Sequence, residues 1–401
     1  MPPTPLHISA ALDGAGWHPA AWRDPSARPR ELFSARYWTD LATEAESGLL
    51  DFVTIEDSLG PQSSSYEGPD DRTDQVRGRL DAVLLAARIA PVTGRVGLVP
   101  TATTTHTEPF HVATGIATLD HVSGGRAGWR AQVSGRHTEA GHFGRREFPV
   151  LRPADHEAPE PAGHVSDLLE EAADAVEVVR RLWDSWEDDA VIRDVATGRF
   201  VDRDKLHYVD FQGRWFGVKG PAITPRPPQG QPLVTALAHA SLAYRFAARG
   251  ADVVYVTPHD KEQARAIVAE VREAEAAVGR PGEPLLVFAD LLVHLDADAR
   301  TAADRRSRLD ELDGAEHVSD AAVFTGTPER LADLLLDWRE AGIQGYRLRP
   351  GVLPSDLRAI TRGLVPVLQG RDAFRRAYEA PTLRGLLGLP LPANRYATTA
   401  V

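Results

Sequence analysis

Apolar, β-rich runs recur along the chain with amphipathic stretches between them. The apolar runs occupy 6–12, 50–55, 96–103, 127–133, 233–238, 251–256, 285–292 and 345–349. Helical spacing is readable at 33–48, 75–89, 109–120, 165–187, 241–249, 260–278, 297–312, 327–342 and 354–369. Eight strands alternating with helices predict an α/β chain closed into a (β/α)8 barrel rather than an open sheet. The stretch 97–134 shows the unit most clearly. An apolar run ends in Thr101, Thr103, Thr104 and Thr105, a short helix begins at Glu108 and Pro109, Gly124 and Gly125 break it, and an extended pattern resumes. Threonines at the carboxyl end of a strand sit where α/β folds bind ligands. The same residues also suit β-propensity and capping of the next helix.

The alternation is interrupted once. A polar, Pro-rich excursion at about 187–231 is too long for an ordinary connection and is expected to cover a barrel mouth, its aromatics Phe200, Tyr208, Phe211, Trp215 and Phe216 forming a small core of their own. Residues 372–401 read as a carboxyl-terminal arm that wraps the barrel or docks a second subunit, so the chain is expected to be one barrel domain over 1–401 carrying these two additions. At 401 residues this is within the range of barrels with insertions. Hydrophobic residues at 43% and charged residues at 25% are those of an ordinary globular protein, and no run is long enough to span a bilayer. The amino terminus shows no secretion signal and there is no cysteine, so a cytoplasmic location without disulfides or thiolate chemistry is expected. A net charge of -12 argues against a nucleic-acid footprint. Histidines are frequent near the strand ends, but none has metal-ligand spacing, so no metal is expected.

A set of ordered phrases carries a resemblance. They are LDFVTIEDS at 50–58, TATTT with EPFHVA at 101–113, TLDHVSGGRAGWRAQVS at 118–134, LWDSWEDDA at 182–190, FAARGADVVYV at 246–256 and TGTPERLADLLLDW at 325–338. With them the chain resembles the luciferase-like flavin-dependent monooxygenases of the nitrilotriacetate and dibenzothiophene-sulfone monooxygenase branch. The resemblance implies a (β/α)8 barrel that takes reduced FMN from a separate flavin reductase and uses molecular oxygen to oxidise a small organic substrate through a flavin C4a-peroxide. It also implies a homodimer. Such chemistry needs a dry pocket and a proton donor.

The resemblance places Asp57, at the end of the second strand, and Thr101 and Thr103, on the third, in contact with the flavin. Where relatives carry a Gly-Ser-Ser turn for the FMN phosphate, this chain has Ala238, His239, Ala240 and Ser241, so Ser241 and the helix terminus with His239 are the phosphate candidates. Where relatives carry His and Tyr at the start of the long helix, this chain offers His164 and, for the Tyr, Leu169. Arg130 stands where relatives of this branch often carry Asn. His106, directly after the third strand, is the candidate for proton transfer because an ordinary imidazole titrates near neutrality. Two alternatives accompany this reading. One is an F420-dependent hydride-transfer enzyme of the same barrel, and the other is a non-catalytic partner subunit, motivated by the altered phosphate turn.

Overall fold

The computed structural model describes residues 5–63, 68–150 and 159–397. Its centre is a parallel barrel. The strands are β1 (His7–Leu12), β2 (Phe52–Ile55), β3 (Gly97–Thr103), β4 (Gly128–Gln132), β9 (Leu233–Leu237), β10 (Val253–Val256), β11 (Leu286–Leu295) and β13 (Gly345–Pro350). They pair in that order, and β13 returns to β1 to close the ring. All eight apolar runs of the sequence are therefore barrel strands, as expected of segments buried on both faces. A ninth strand, β12 (Ala322–Gly326), was not foreseen. It pairs with the upper half of β11, Leu291 through Leu295, beyond the part that pairs with β10.

Helices surround the ring: α1 (Ala35–Ser47), α2 (Ala82–Ile89), α3 (Pro109–Ser123), α5 (Pro159–Asp184), α6 (Ser241–Gly250), α7 (Lys261–Val278), α8 (Ala299–Asp313), α9 (Pro328–Arg339) and α10 (Ser355–Ala359), the last followed by one π turn and by α11 (Val365–Gly370). Side-chain caps set several of their starts, since Ser34, Asp81, Asp260, Asp298 and Thr327 each accept a backbone N–H of the following turn. The helix expected from 75 starts only at Ala82 for this reason. A short helix, α4 (His137–Phe143), lies between β4 and α5. No helix among the described residues is long and apolar enough to cross a membrane.

Period-two alternation divides each strand into an outward set under the helices and an inward set. At the amino end the inward set is apolar: Phe52, Val99, Leu233, Val253, Tyr255 and Phe288 form a core separate from the one beneath the helices. Gly345 leaves room for the Phe288 ring, which a Cβ there would meet at 2.5 Å. The arm closes this end from below. Leu383 and Leu387, in and just after α12 (Leu383–Leu386), join the inner core, and Arg384 pairs with Asp252 at 3.1 Å. The arm's last four residues, 398–401, lie outside the described residues.

Residues 187–231 form two small hairpins, β5 (Val191–Asp194) with β6 (Arg199–Val201) and β7 (Phe211–Gln212) with β8 (Gly217–Val218). The expected aromatic core is only a pair. Phe211 and Phe216 pack at 5.7 Å between ring centres, whereas Phe200 and Tyr208 are exposed, because hairpins this short have no second layer to cover them.

Candidate active site

Following the inward positions toward the carboxyl end, the apolar core gives way to charge. On β2 the series is Phe52, Thr54 and then Glu56; on β4 it is Gly128, Arg130, Gln132; on β11 Phe288 is followed by Asp290; on β13 Gly345 is followed by Arg347 and Arg349. These side chains meet across the barrel. Arg347 donates to both oxygens of Asp290, at 2.8 and 2.5 Å, and to Glu56 at 3.0 Å. Arg349 donates to Asp290 and, at 2.5 Å, to Asp320 just before β12. Arg130 pairs with the other Glu56 oxygen at 3.2 Å and donates to Thr101 at 3.0 Å and to Gln132 at 2.6 Å. The side chains of Arg347 and Asp290 are wholly buried. Two guanidinium groups also lie over aromatic faces, Arg347 on Tyr255 at 4.4 Å and Arg349 on Trp17 at 4.5 Å.

Burial opposes ionisation of Glu56 and Asp290. The guanidinium groups of Arg130, Arg347 and Arg349 more than offset it, holding Glu56 below the usual carboxylate range, and Arg347 and Arg349 do the same for Asp290. Asp13 and Asp57 go the other way, since burial outweighs Arg79 at Asp13 and the backbone N–H groups of Ala82 and Ser58 at Asp57, and raises both carboxyls.

Over this network opens a cavity of about 480 Å³ lined by Asp13, Trp17, Glu56, Asp57, Arg130 and Arg349 among others. A second cavity of about 420 Å³ adjoins it and shares Asp57 and Ser58 with it. Its walls are largely apolar, from Leu59, Val83, Leu84, Ala102, Val112 and Ile116, with Thr101, Thr103 and His111 supplying polar groups. Asp57 therefore stands between an ionic chamber and an apolar annex. Its two oxygens accept from the backbone N–H of Ser58 at 2.8 Å and of Ala82 at 2.9 Å, so it also ties the β2 end to the start of α2.

Three sequence candidates thus line the joined cavities: Asp57, Thr101 and Thr103. His106 and His164 are placed elsewhere, about one ring. His106 stacks on Phe143 at 4.9 Å and meets Phe148 at 5.4 Å, and His164 meets Phe148 edge-on at 4.7 Å. Burial lowers both imidazoles, with Arg146 adding to the effect at His106. His106 lines a side cleft of about 200 Å³ with Trp215 and Phe216 from 187–231, and no residue of that segment lines the central cavity. His239 contacts Thr257 at 2.9 Å and approaches Asp320 at 3.6 Å, linking the phosphate-turn candidate to the ionic network. Burial lowers its imidazole, partly countered by Asp320. Ser241 is exposed at the start of α6, where Ala240 supplies no side-chain cap and leaves the first-turn amides facing outward.

The sequence and the fold both have counterparts among known proteins. The profile of the family described as luciferase-like monooxygenase matches residues 15–310. The chain belongs to that family. It is 31% identical to N-acetyl-S-(2-succino)cysteine monooxygenase of Bacillus subtilis (strain 168) and 30% identical to nitrilotriacetate monooxygenase component A of Aminobacter aminovorans, each comparison covering 98% of both chains. The solved structure of EDTA monooxygenase from Chelativorans sp. BNC1, 24% identical, superposes with a TM-score of 0.81 over 96% of this chain and 98% of that one, and so shares the fold. The protein is an enzyme, a monooxygenase of this luciferase-like family, of the branch that includes nitrilotriacetate monooxygenase.

Within this luciferase-like barrel, the residues that sequence reasoning passed over are the ionic ones: Asp13, Arg79, Asp290, Asp320, Arg347 and Arg349. A signal exists in GYRLRP at 345–350, where Arg347 and Arg349 hold alternate positions, and in FADLLV at 288–293, where Asp290 is a single charge in an apolar strand. Charge on an inward strand position is costly unless it is paired, and so marks a site.

Proposed function

We propose that this chain is the oxygenating component of a two-component system, a cytoplasmic homodimer that takes reduced FMN from a separate flavin reductase and uses oxygen to oxidise a small organic substrate. The observation that carries the reading is the pair of joined cavities at the carboxyl end of a luciferase-like barrel, meeting at Asp57. Their volumes suit a cofactor and a substrate side by side. The donor set fits reduced FMN. The apolar walls of the annex suit a ring system, Asp57, Thr101 and Thr103 offer polar contacts for its edge, and the uncapped amides of α6 with Ser241 and His239 suit its phosphate. When bound, the reduced flavin supplies the electrons that activate oxygen.

The chain's own residues supply the surroundings. Leu59, Val83, Val112 and Ile116 keep water from the annex, which protects reactive species from hydrolysis and stray protons. Asp57, raised by burial and facing both chambers, is the group best placed to hold a proton where they meet. His106 lines the side cleft, so its proposed proton-transfer role is confined to traffic through that cleft.

The test is an anaerobic titration of the purified protein with reduced FMN, followed by admission of oxygen while oxygen uptake and hydrogen peroxide release are recorded. Saturable binding with peroxide release suppressed relative to free reduced FMN is the expected result. Absence of saturable binding overturns the reading, and the same titration with reduced F420 then separates a hydride-transfer enzyme from a partner subunit that binds neither.

A further inference from the structure

β12 is not needed to close the ring, but the turn that leads into it brings Asp320 beside the residues that follow β9 and β10. Asp320 has two neighbours there. Arg349 of β13 donates to both its oxygens, at 2.5 and 3.1 Å, and Nε2 of His239 lies 3.6 Å from its Oδ2. The other ring nitrogen of His239, Nδ1, is 2.9 Å from the Thr257 hydroxyl. His239 is therefore flanked at both nitrogens, although its side chain is nearly half exposed and it stands only two residues before α6. Which nitrogen of an imidazole carries the proton, and which way the ring faces, is set by such neighbours. At the adjoining helix start, Ala240 offers no side chain to the first-turn amides.

We infer that Asp320 is a positioning residue for the flavin phosphate: together with Thr257 it orients the His239 imidazole as the cationic donor beside the α6 amides. The inference rests on the monooxygenase reading above and deepens its cofactor site. The charged groups that act on His239 are Asp320 before β12, Asp290 on β11, and Arg349 and Arg347 on β13. In the free chain burial keeps the imidazole below its ordinary value, with Asp320 and then Asp290 pulling it up and the two arginines pushing it down. A phosphate dianion at the α6 amino terminus acts on the same side as the acids, so the ring takes up a proton as the phosphate binds. Asp320 does not repel that phosphate as a lone carboxylate would. Burial opposes its ionisation, but Arg349 and then His239 outweigh burial and hold the carboxyl well below the usual range, so its charge is already answered by Arg349. What it adds at the turn is orientation and proton affinity for His239.

Anaerobic calorimetric titration of the full chain with reduced FMN and with reduced riboflavin, which lacks only the phosphate, decides the matter. The ring system is common to both probes, so its own titration cancels in the ratio of their dissociation constants. In the unaltered chain reduced FMN is expected to bind about tenfold more tightly or better, the worth of a charge-assisted contact. Asp320→Asn is expected to cut that ratio about fivefold while leaving reduced riboflavin within about twofold, with Asp320→Glu recovering part of the loss. His239→Gln, a change at an exposed position, should cut the ratio at least as far, and Asp320→Asn should then add nothing to it. Reduced FMN, and not reduced riboflavin, is expected to take up a proton above pH 7, read from the heats in buffers of different ionisation enthalpy. The FMN phosphate is already a dianion there, so the proton goes to the chain. Four results overturn the inference: a ratio near one in the unaltered chain, reduced FMN binding without proton uptake, an Asp320→Asn ratio equal to the unaltered one, or equal weakening of both flavins, which makes Asp320 a partner of Arg349 alone. All four leave the monooxygenase reading standing, because reduced flavin is still bound. Failure of both flavins to bind the unaltered chain overturns the reading and the inference together.

Discussion

The two chambers at the barrel mouth share Asp57 and little else. One is built on paired charges projecting from β4, β11 and β13, and the other is built on aliphatic side chains from α2 and α3. Both are walls of one site, yet they are held together by different physics. The annex is stabilised by burial of apolar surface, which is additive and tolerant of small changes. The ionic chamber depends on stoichiometry, because each buried charge is tolerable only while its partner remains. Placed side by side, the two give one barrel mouth an apolar wall and a charged one.

The sharpest way to break the contrast is Asp290→Asn. Asp290 alone answers both Arg347 and Arg349 from a position with no solvent access. Removing its charge leaves two buried guanidinium groups under-paired, and the expected loss is about 3–5 kcal/mol of stability, read from the urea midpoint. A loss under about 1 kcal/mol would show that water or rearranged carboxylates reach this depth, and would remove the distinction between the chambers.

The ionic side also carries the pH dependence. His294, on the same strand as Asp290, packs near His18 and His317, with ring centres of His18 at 5.9 and 5.1 Å from the other two, and neither of its ring nitrogens has a partner. Burial, followed by the charges of His18 and the neighbouring arginines, lowers His294 to about 3, and burial lowers His317 to about 4. For a base whose folded-state pKa is depressed, the stabilising contribution is complete above its ordinary value near 6.5 and is lost as pH falls toward the folded value. At pH 5 the His294 share of that loss is about 2 kcal/mol. Urea midpoints measured from pH 8 to 5 should fall, and His294→Leu should flatten the slope. A slope unchanged by the variant would mean that His294 does not carry it.

The two chambers also differ in how far the sequence discloses them. The eight barrel strands are legible because strands covered on both faces are continuous apolar runs. β12 is not, because AVFTG is short, half-buried and runs straight into a helix cap. Thr101 and Thr103 are visible as hydroxyls ending an apolar strand. The ionic lining is written in GYRLRP as plainly, but Asp290 and Arg347 are 57 positions apart, and only the barrel's closure shows that one answers the other. His106 misleads for a related reason. Adjacency to the strand end suggests the mouth, whereas beyond Thr103 the chain turns outward and the ring packs on Phe143.

Asp57 tests the boundary between the chambers. Asp57→Ala removes the acceptor for two backbone N–H groups, those of Ser58 and Ala82, and is expected to cost about 1–2 kcal/mol through the loosened start of α2. Reduced FMN binding should weaken in the same variant, because the carboxyl faces both cavities. Asp57→Asn retains one acceptor oxygen and separates the effects: stability returns in part, while the group loses its titration. If Asp57→Asn leaves oxygen uptake and peroxide release unchanged, Asp57 acts only as a clip for the loop.

The smallest effect comes from the annex and has the opposite sign. Gly115 sits within α3 and lines the annex, and a Cβ built there would meet only Val83, at an ordinary contact distance of 3.6 Å. Its backbone is helical and its φ is not positive, so Ala fits without strain. Replacing a helical Gly by Ala restricts the unfolded chain and should stabilise the protein by about 0.5–1 kcal/mol, read as a higher urea midpoint with the slope unchanged. The added methyl removes little volume from a chamber of about 420 Å³, so the cost of Asp290→Asn in the neighbouring chamber should not change. If the stability cost of Asp290→Asn in the Gly115→Ala background differs from that in the unaltered chain by more than about 0.5 kcal/mol, the annex and the ionic chamber are one mechanically coupled pocket.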